Sequence, residues 1–209
     1  MNTTPHGRRV PALAALSLAT ALGASAVAPT SADAAPSIKV RTSKHVLVGN
    51  KVKVKGKISG SAVSRVRVER NKGRGWKTVD VAETGDSGRF RASFPGRNVG
   101  GMKVRVVAAG EVSRPRRAIV YRRVAASYYG PGLYGNRLAC GGRLHRGTIG
   151  VAHKSLPCGT KVHLRYRGRH VRVRVIDRGP YAAGRTYDLT EATKDRLGFP
   201  STGRVWSSR

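Results

Sequence analysis

The stretch His170-Val171-Arg172-Val173-Arg174-Val175-Ile176-Asp177-Arg178-Gly179-Pro180-Tyr181 alternates valine with arginine, then ends in an aspartate and a Gly-Pro break. Period two is the signature of a strand with one buried and one wet face. By the same count Asp177 shares the parity of Val171, Val173 and Val175, so it is expected to project inward at the strand's end. Upstream, Val162–Tyr166 repeats the alternation, and Arg167-Gly168-Arg169 supplies a turn, which predicts a hairpin. Downstream, Asp188-Leu189-Thr190-Glu191 reads as a capping box with Asp188 at the N-cap, and Ala192–Leu197 should continue as a short helix that Gly198 stops.

The same alternation fills the chain from Ser37 to Tyr121. Val52 and Val54 lie between Lys51, Lys53 and Lys55, and Phe90, Ala92 and Phe94 between Arg89, Arg91 and Ser93. Glycine-bearing turns at Gly49-Asn50, Asn71-Lys72-Gly73 and Gly85-Asp86-Ser87-Gly88 separate the runs. Roughly seven short strands of this kind predict an immunoglobulin-like β-sandwich over 36–121. Its acids are scattered over wet faces and turns, so no catalytic set is expected there, and Trp76 reads as a core or edge aromatic. Residues 122–126 read as a linker and 127–209 as a second domain.

The first 34 residues have the form of an export signal. Arg8 and Arg9 precede an uncharged Ala/Leu-rich run, and Ala32-Asp33-Ala34 offers a cleavage site. A membrane anchor is the weaker reading, because the run falls short of the ~20 strongly apolar residues a span requires. The expected product is a soluble, secreted monomer. Its charge is extreme: 41 Lys+Arg against 10 Asp+Glu give +31. The excess is spread evenly, with 21 basic and 5 acidic residues in 36–121 and 18 and 4 in 122–209. Such a field gathers polyanions and is sensitive to salt. Behind an export signal it points to anionic polymers or lipid head groups outside the cell, and nucleic acid is not expected as a partner. Two cysteines, Cys140 and Cys158, read as one disulfide in an oxidising compartment, with two free thiols as the alternative.

Four segments carry the chemistry: Ala126-Ser127-Tyr128-Tyr129-Gly130, Gly150-Val151-Ala152-His153-Lys154-Ser155-Leu156-Pro157-Cys158-Gly159-Thr160, Val175–Tyr181 and Tyr187-Asp188-Leu189-Thr190. Their order and content resemble the RlpA-like double-psi β-barrel family, which also includes expansins and some cell-wall lytic transglycosylases. The resemblance implies a six-stranded double-psi β-barrel with one short helix, so the whole is expected to be all-β. It also implies a groove for peptidoglycan glycan strands and a cell-wall location, while the charge of both domains makes anionic wall polymers such as teichoic acids the further expected partners. Asp177 and His153 become candidate catalytic residues. Asp188, Tyr128, Tyr129, Arg178 and Tyr181 become candidate substrate-binding residues. A transglycosylase would protonate the glycosidic oxygen from one carboxyl group, which then serves as base.

The chain departs from the family's pattern at one place. Active members carry Asn-Gly-Glu soon after the first strand and an Asp three residues on, where this chain has Cys140-Gly141-Gly142 and His145. The matched set is therefore closer to an expansin-like pair, Asp177 with Asp188, that grips and loosens glycan without cutting. The transglycosylase with Asp177 as general acid/base is the alternative. Each residue also has a purely structural reading: Asp188 as a helix cap, Asp177 as a turn residue, His153 as a cross-strand donor and the tyrosines as core. The histidines lack metal-ligand spacing, so neither a metal nor another cofactor is expected.

Overall fold

The computed structural model describes residues 36–60 and 62–209. The expected export signal therefore lies outside the described residues. The strands are β1 (Ser37–Thr42), β2 (His45–Leu47), β3 (Lys51–Ser59), β4 (Arg65–Asn71), β5 (Trp76–Glu83), β6 (Arg89–Pro95), β7 (Gly100–Ala108) and β8 (Glu111–Val112). There follow β9 (Arg116–Tyr129), β10 (Val151–Ala152), β11 (Lys161–Tyr166), β12 (Arg169–Asp177), β13 (Tyr187–Thr190), the helix α1 (Glu191–Leu197) and β14 (Thr202–Ser207).

The alternation read from the sequence is what the strands display. In β3 the valines and Ile58 are buried while Lys51, Lys53, Lys55 and Lys57 are exposed. β1, β3 and β6 form an antiparallel three-stranded sheet. Its buried face, with Val52, Val54, Phe90 and Phe94, shares one core with Val66, Val68, Val104, Val106 and Val120 of β4, β7 and β9. A second core gathers Val124, Ala126, Val151, Val162, Leu164, Val173, Leu189 and Val205 around Leu197 of α1. The predicted hairpin is β11–β12, turning through Arg167 and Gly168, both at positive φ. Among the described residues no helix is long and apolar enough to cross a membrane.

Two corrections follow. The expected fold, an immunoglobulin-like sandwich followed by a separate six-stranded double-psi β-barrel, is replaced by a mixed sheet of eleven strands, the three-stranded sheet and one short helix. The sheet is continuous because β9 runs for 14 residues through both cores. Residues 122–126, read as a linker, lie in the middle of that strand. The Arg122-Arg123 pair resembles a break in composition, yet Val124 and Ala126 keep the alternation and are buried. Arg122 to Ser127 also pair in register with β14.

The second correction concerns the start of α1. Thr190, not Asp188, is its N-cap, and the Thr190 hydroxyl accepts from Thr193 N at 3.3 Å. Asp188 lies inside β13. Gly198 ends the helix in the left-handed region, as its position predicts.

Candidate functional site

The site begins with a one-residue irregularity. β10 runs parallel to β12, with Val151 opposite Val175 but Ala152 opposite Asp177, so Ile176 is an extra residue. A bulge of this kind reverses which face the following side chain occupies. Asp177 therefore leaves the face of Val173 and Val175 and joins that of Ala152. Ala152 is also opposite Asp188 on β13, and Asp188 is opposite Ser127 on β9. Asp177, Ala152, Asp188 and Ser127 thus form a row across four strands. Adjacent strands lie about 4.8 Å apart, so the two aspartate backbones are separated by roughly 10 Å.

Each carboxylate is held in a different way. Asp177 Oδ1 accepts from the backbone N–H groups of Ala139 and Arg178, both at 2.9 Å. Its Oδ2 takes no backbone donor among the described residues, and the Tyr129 hydroxyl lies close to the carboxylate. Asp188 Oδ1 accepts from the Ser127 hydroxyl, which in turn accepts from Arg185 Nη1 at 3.0 Å. Tyr129, two residues beyond Ser127 on β9, completes the face. Its hydroxyl is buried, makes no other side-chain or backbone hydrogen bond among the described residues, and lies within reach of the Asp177 carboxylate. Burial first, and then the nearby Asp177 and Asp188 carboxylates, push its pKa well above the ordinary tyrosine value.

The remaining candidates take other places. His153 Nδ1 accepts from the backbone N–H groups of Ser155 and Leu156 at 3.1 and 3.0 Å, so it holds the turn after β10. Burial, then the charges of Arg122 and Arg178, lower its pKa, and its ring packs on Tyr187 at 5.0 Å between centroids. Arg178 reaches back to the same loop, donating to Leu156 O at 3.0 Å and to His153 O at 3.4 Å. Tyr128 faces the second core, with Lys194 Nζ 4.8 Å from its ring centre. Tyr181 is 82% exposed. Among the described residues no group of His, Cys, Asp and Glu is placed to hold a metal ion.

Cys140 and Cys158 form the expected disulfide, with 5.5 Å between their Cα atoms. The bond is part of the site's frame. Cys140 N donates to Ile176 O at the bulge, Ala139 N to Asp177, and Arg178 Nη2 lies 3.2 Å from Cys158 Sγ. Gly142, where the resemblance leads one to expect Glu, closes the adjoining turn at φ +78°, accepting from Leu138 N at 3.0 Å. Sequence reading missed Ser127, Arg185 and the Ala139 amide. Only Ser127 carried a signal, through its place beside the two tyrosines.

A sheet face bearing two separately held carboxylates and a buried tyrosine hydroxyl has the parts of an acid–base site. The sequence profile of the family described as "Lytic transglycolase" matches residues 122–206, and over that segment the chain is similar to RlpA-like proteins. It is 43% identical over 81 residues to the probable endolytic peptidoglycan transglycosylase RlpA of Synechocystis sp., covering 37% of this chain and 25% of that one. The protein of the same description from Aquifex aeolicus is 37% identical over 105 residues, covering 49% of this chain and 46% of that one. The endolytic peptidoglycan transglycosylase RlpA of Campylobacter jejuni is 36% identical over 80 residues, covering 37% and 29%. The chain therefore spans a quarter to just under half the length of these relatives.

Proposed function

We propose that the face built by Asp177, Asp188 and Tyr129 acts on peptidoglycan glycan strands as a lytic transglycosylase, outside the cell and at the wall. The observation that carries this reading is the bulge at Ile176, which turns Asp177 onto the face that Asp188 already occupies. Asp177 is the general acid/base. It gives its proton to the glycosidic oxygen as that bond to the anomeric carbon breaks. The sugar's own 6-hydroxyl then attacks that carbon and returns a proton to the carboxylate, leaving a 1,6-anhydro end with no water consumed. Two backbone donors fix one oxygen of Asp177 and leave the other for this exchange. Asp188, steadied by Ser127 and Arg185, and the Tyr129 hydroxyl orient the sugar. His153 contributes loop geometry, since its Nδ1 is already committed.

A second reading is glycan binding without cleavage, as in expansins. Gly142 favours it, because that position supplies no carboxyl group. The even basic charge of both halves supports a further partner, an anionic wall polymer such as teichoic acid, which would retain the protein on the wall. Incubation of purified sacculi with the protein, followed by mass spectrometry of released material, decides between the two readings. Release of 1,6-anhydro muropeptides establishes turnover. Binding without release establishes the second reading.

A further inference from the structure

Two adjoining clefts lie along the junction where β9 passes from the first core to the second. One, of about 790 Å³, includes Arg41, Lys44, Arg116, Arg117 and His170 in its lining. The other, of about 820 Å³, includes Lys72, Lys103, Arg117, Lys161 and Arg172. They share Arg117, Ile119 and His163, so they form one continuous groove. Neither is lined by an Asp or a Glu. The acids of the second half, Asp177, Asp188, Glu191 and Asp195, all lie at the end of β12, in β13 and in α1.

The groove is built against its own stability. Lys103 is directly opposite Arg117 across β7 and β9, and His163 is directly opposite Arg172 across β11 and β12. The like charges of Lys103 and Arg117 are destabilising in these positions. Burial first, then Arg172 and Arg117, push the His163 pKa down, so cations from β12 and β9 converge on one space. Lys103, Arg117 and Arg172 form no salt bridge and donate no side-chain hydrogen bond among the described residues. An acid answers such charge where Glu69 takes Arg105 at 2.8 Å, whereas Arg41, Lys55 and Arg91 also face one another across β1, β3 and β6. In the groove no acidic side chain supplies an answering charge.

We propose that this junction groove binds a polymer of phosphodiester-linked polyol units, of the poly(glycerol phosphate) type. Arginine forks match phosphate oxygens in pairs, and cations spaced along a groove suit a repeating anion. No Phe, Tyr or Trp lines the groove, whereas single-stranded nucleic acid is held by stacking on such rings. The inference rests on the retention reading above, to which it gives a location. It does not depend on glycan cleavage.

The test compares two triple variants that remove equal charge. One is Lys103→Gln/Arg117→Gln/Arg172→Gln, in the groove. The other is Lys51→Gln/Lys53→Gln/Lys55→Gln, on the exposed face of β3. Poly(glycerol phosphate) and a single-stranded oligonucleotide with the same number of phosphates are titrated into each and into the parent. The groove variant should lose about tenfold or more in affinity for poly(glycerol phosphate) at 0.15 M salt, and its log–log salt slope should flatten by about 2. The β3 variant should lose less than about threefold. Arg117→Gln alone should show a partial loss, and the groove variants should melt no lower than the parent, since a repulsion is removed. Equal losses in the two triples would leave retention to diffuse charge and overturn the groove. No binding by the parent would overturn both. Tighter binding of the oligonucleotide, lost in the groove variant, would replace the polyol polymer with nucleic acid.

Discussion

Asp177 and Asp188 are both register partners of Ala152, one across a parallel pairing and the other across an antiparallel one. The two carboxylates therefore share a face without touching, with a single small side chain between them. Asp177→Asn should keep the fold, because the amide preserves size and can still accept from Ala139 N. Release of 1,6-anhydro muropeptides from sacculi should fall by about 100-fold or more, the usual weight of a general acid/base. Release at the parental level from a folded variant would remove Asp177 from the chemistry.

Asp188→Asn and Thr190→Ala separate the site from the helix cap. Thr190 caps α1 and also exchanges hydrogen bonds with Gly150 and Thr193. Its loss should cost about 1–2 kcal/mol in thermal or denaturant unfolding. Asp188→Asn should leave stability nearly unchanged and reduce glycan binding or turnover several-fold. A large stability loss in Asp188→Asn would return that residue to a structural role.

Opening the disulfide should damage the site as well as the fold. The Cys140–Cys158 loop should contribute about 3 kcal/mol through restriction of the unfolded chain. The segment it anchors presents Ala139 N, just before the loop, to Asp177 and Cys140 N to the bulge. The Cys140→Ser/Cys158→Ser variant, assayed well below its own melting temperature, should therefore still show reduced turnover. Parental turnover in the folded double variant would show that the backbone holds Asp177 unaided.

Acid should destabilise the junction. His45 Nδ1 lies 2.8 Å from the Tyr121 hydroxyl, and its ring faces His170 at 5.0 Å. Burial lowers the His45 pKa to about 4, and Arg165, His170, Lys44 and His163 lower it in the same direction. Between about 6.5 and 4 the unfolded chain binds a proton that the folded chain refuses, so stability falls as pH falls through that window. His153 and His163 are shifted in the same direction and add to the slope. His45→Gln, which retains a partner for Tyr121, should flatten the fall in melting temperature from pH 7 to pH 4.5. Parallel curves for parent and variant would assign the acid sensitivity elsewhere.

The individual strands were legible because Val and Lys or Arg alternate so regularly, as in β3 and β12. The disulfide was legible from cysteine number and compartment. Their assembly was not. Strand β9 carries Arg122 and Arg123, both exposed, and two adjacent arginines look like a join when the pairing partners, β13 and β14, lie some 60 to 85 residues further on. Asp177 stands out in the sequence as a candidate, but its direction does not follow from the alternation. Counting by twos assumes an unbroken ladder, and nothing in Val175-Ile176-Asp177 announces the extra residue that the pairing with β10 creates. The capping box was ambiguous in kind, since Asp188 and Thr190 are both good caps and only the end of β13 decides between them.

The unbroken strand β9 makes the molecule a ruler. Arg117, in the proposed polyanion groove, and Tyr129, on the aspartate face, lie twelve residues apart on it, about 40 Å at the usual rise of a strand. No pivot interrupts that span. A polymer captured at Arg117 would fix both the distance and the heading at which Tyr129 would meet a glycan, so anchorage would choose which strand of the wall is reached.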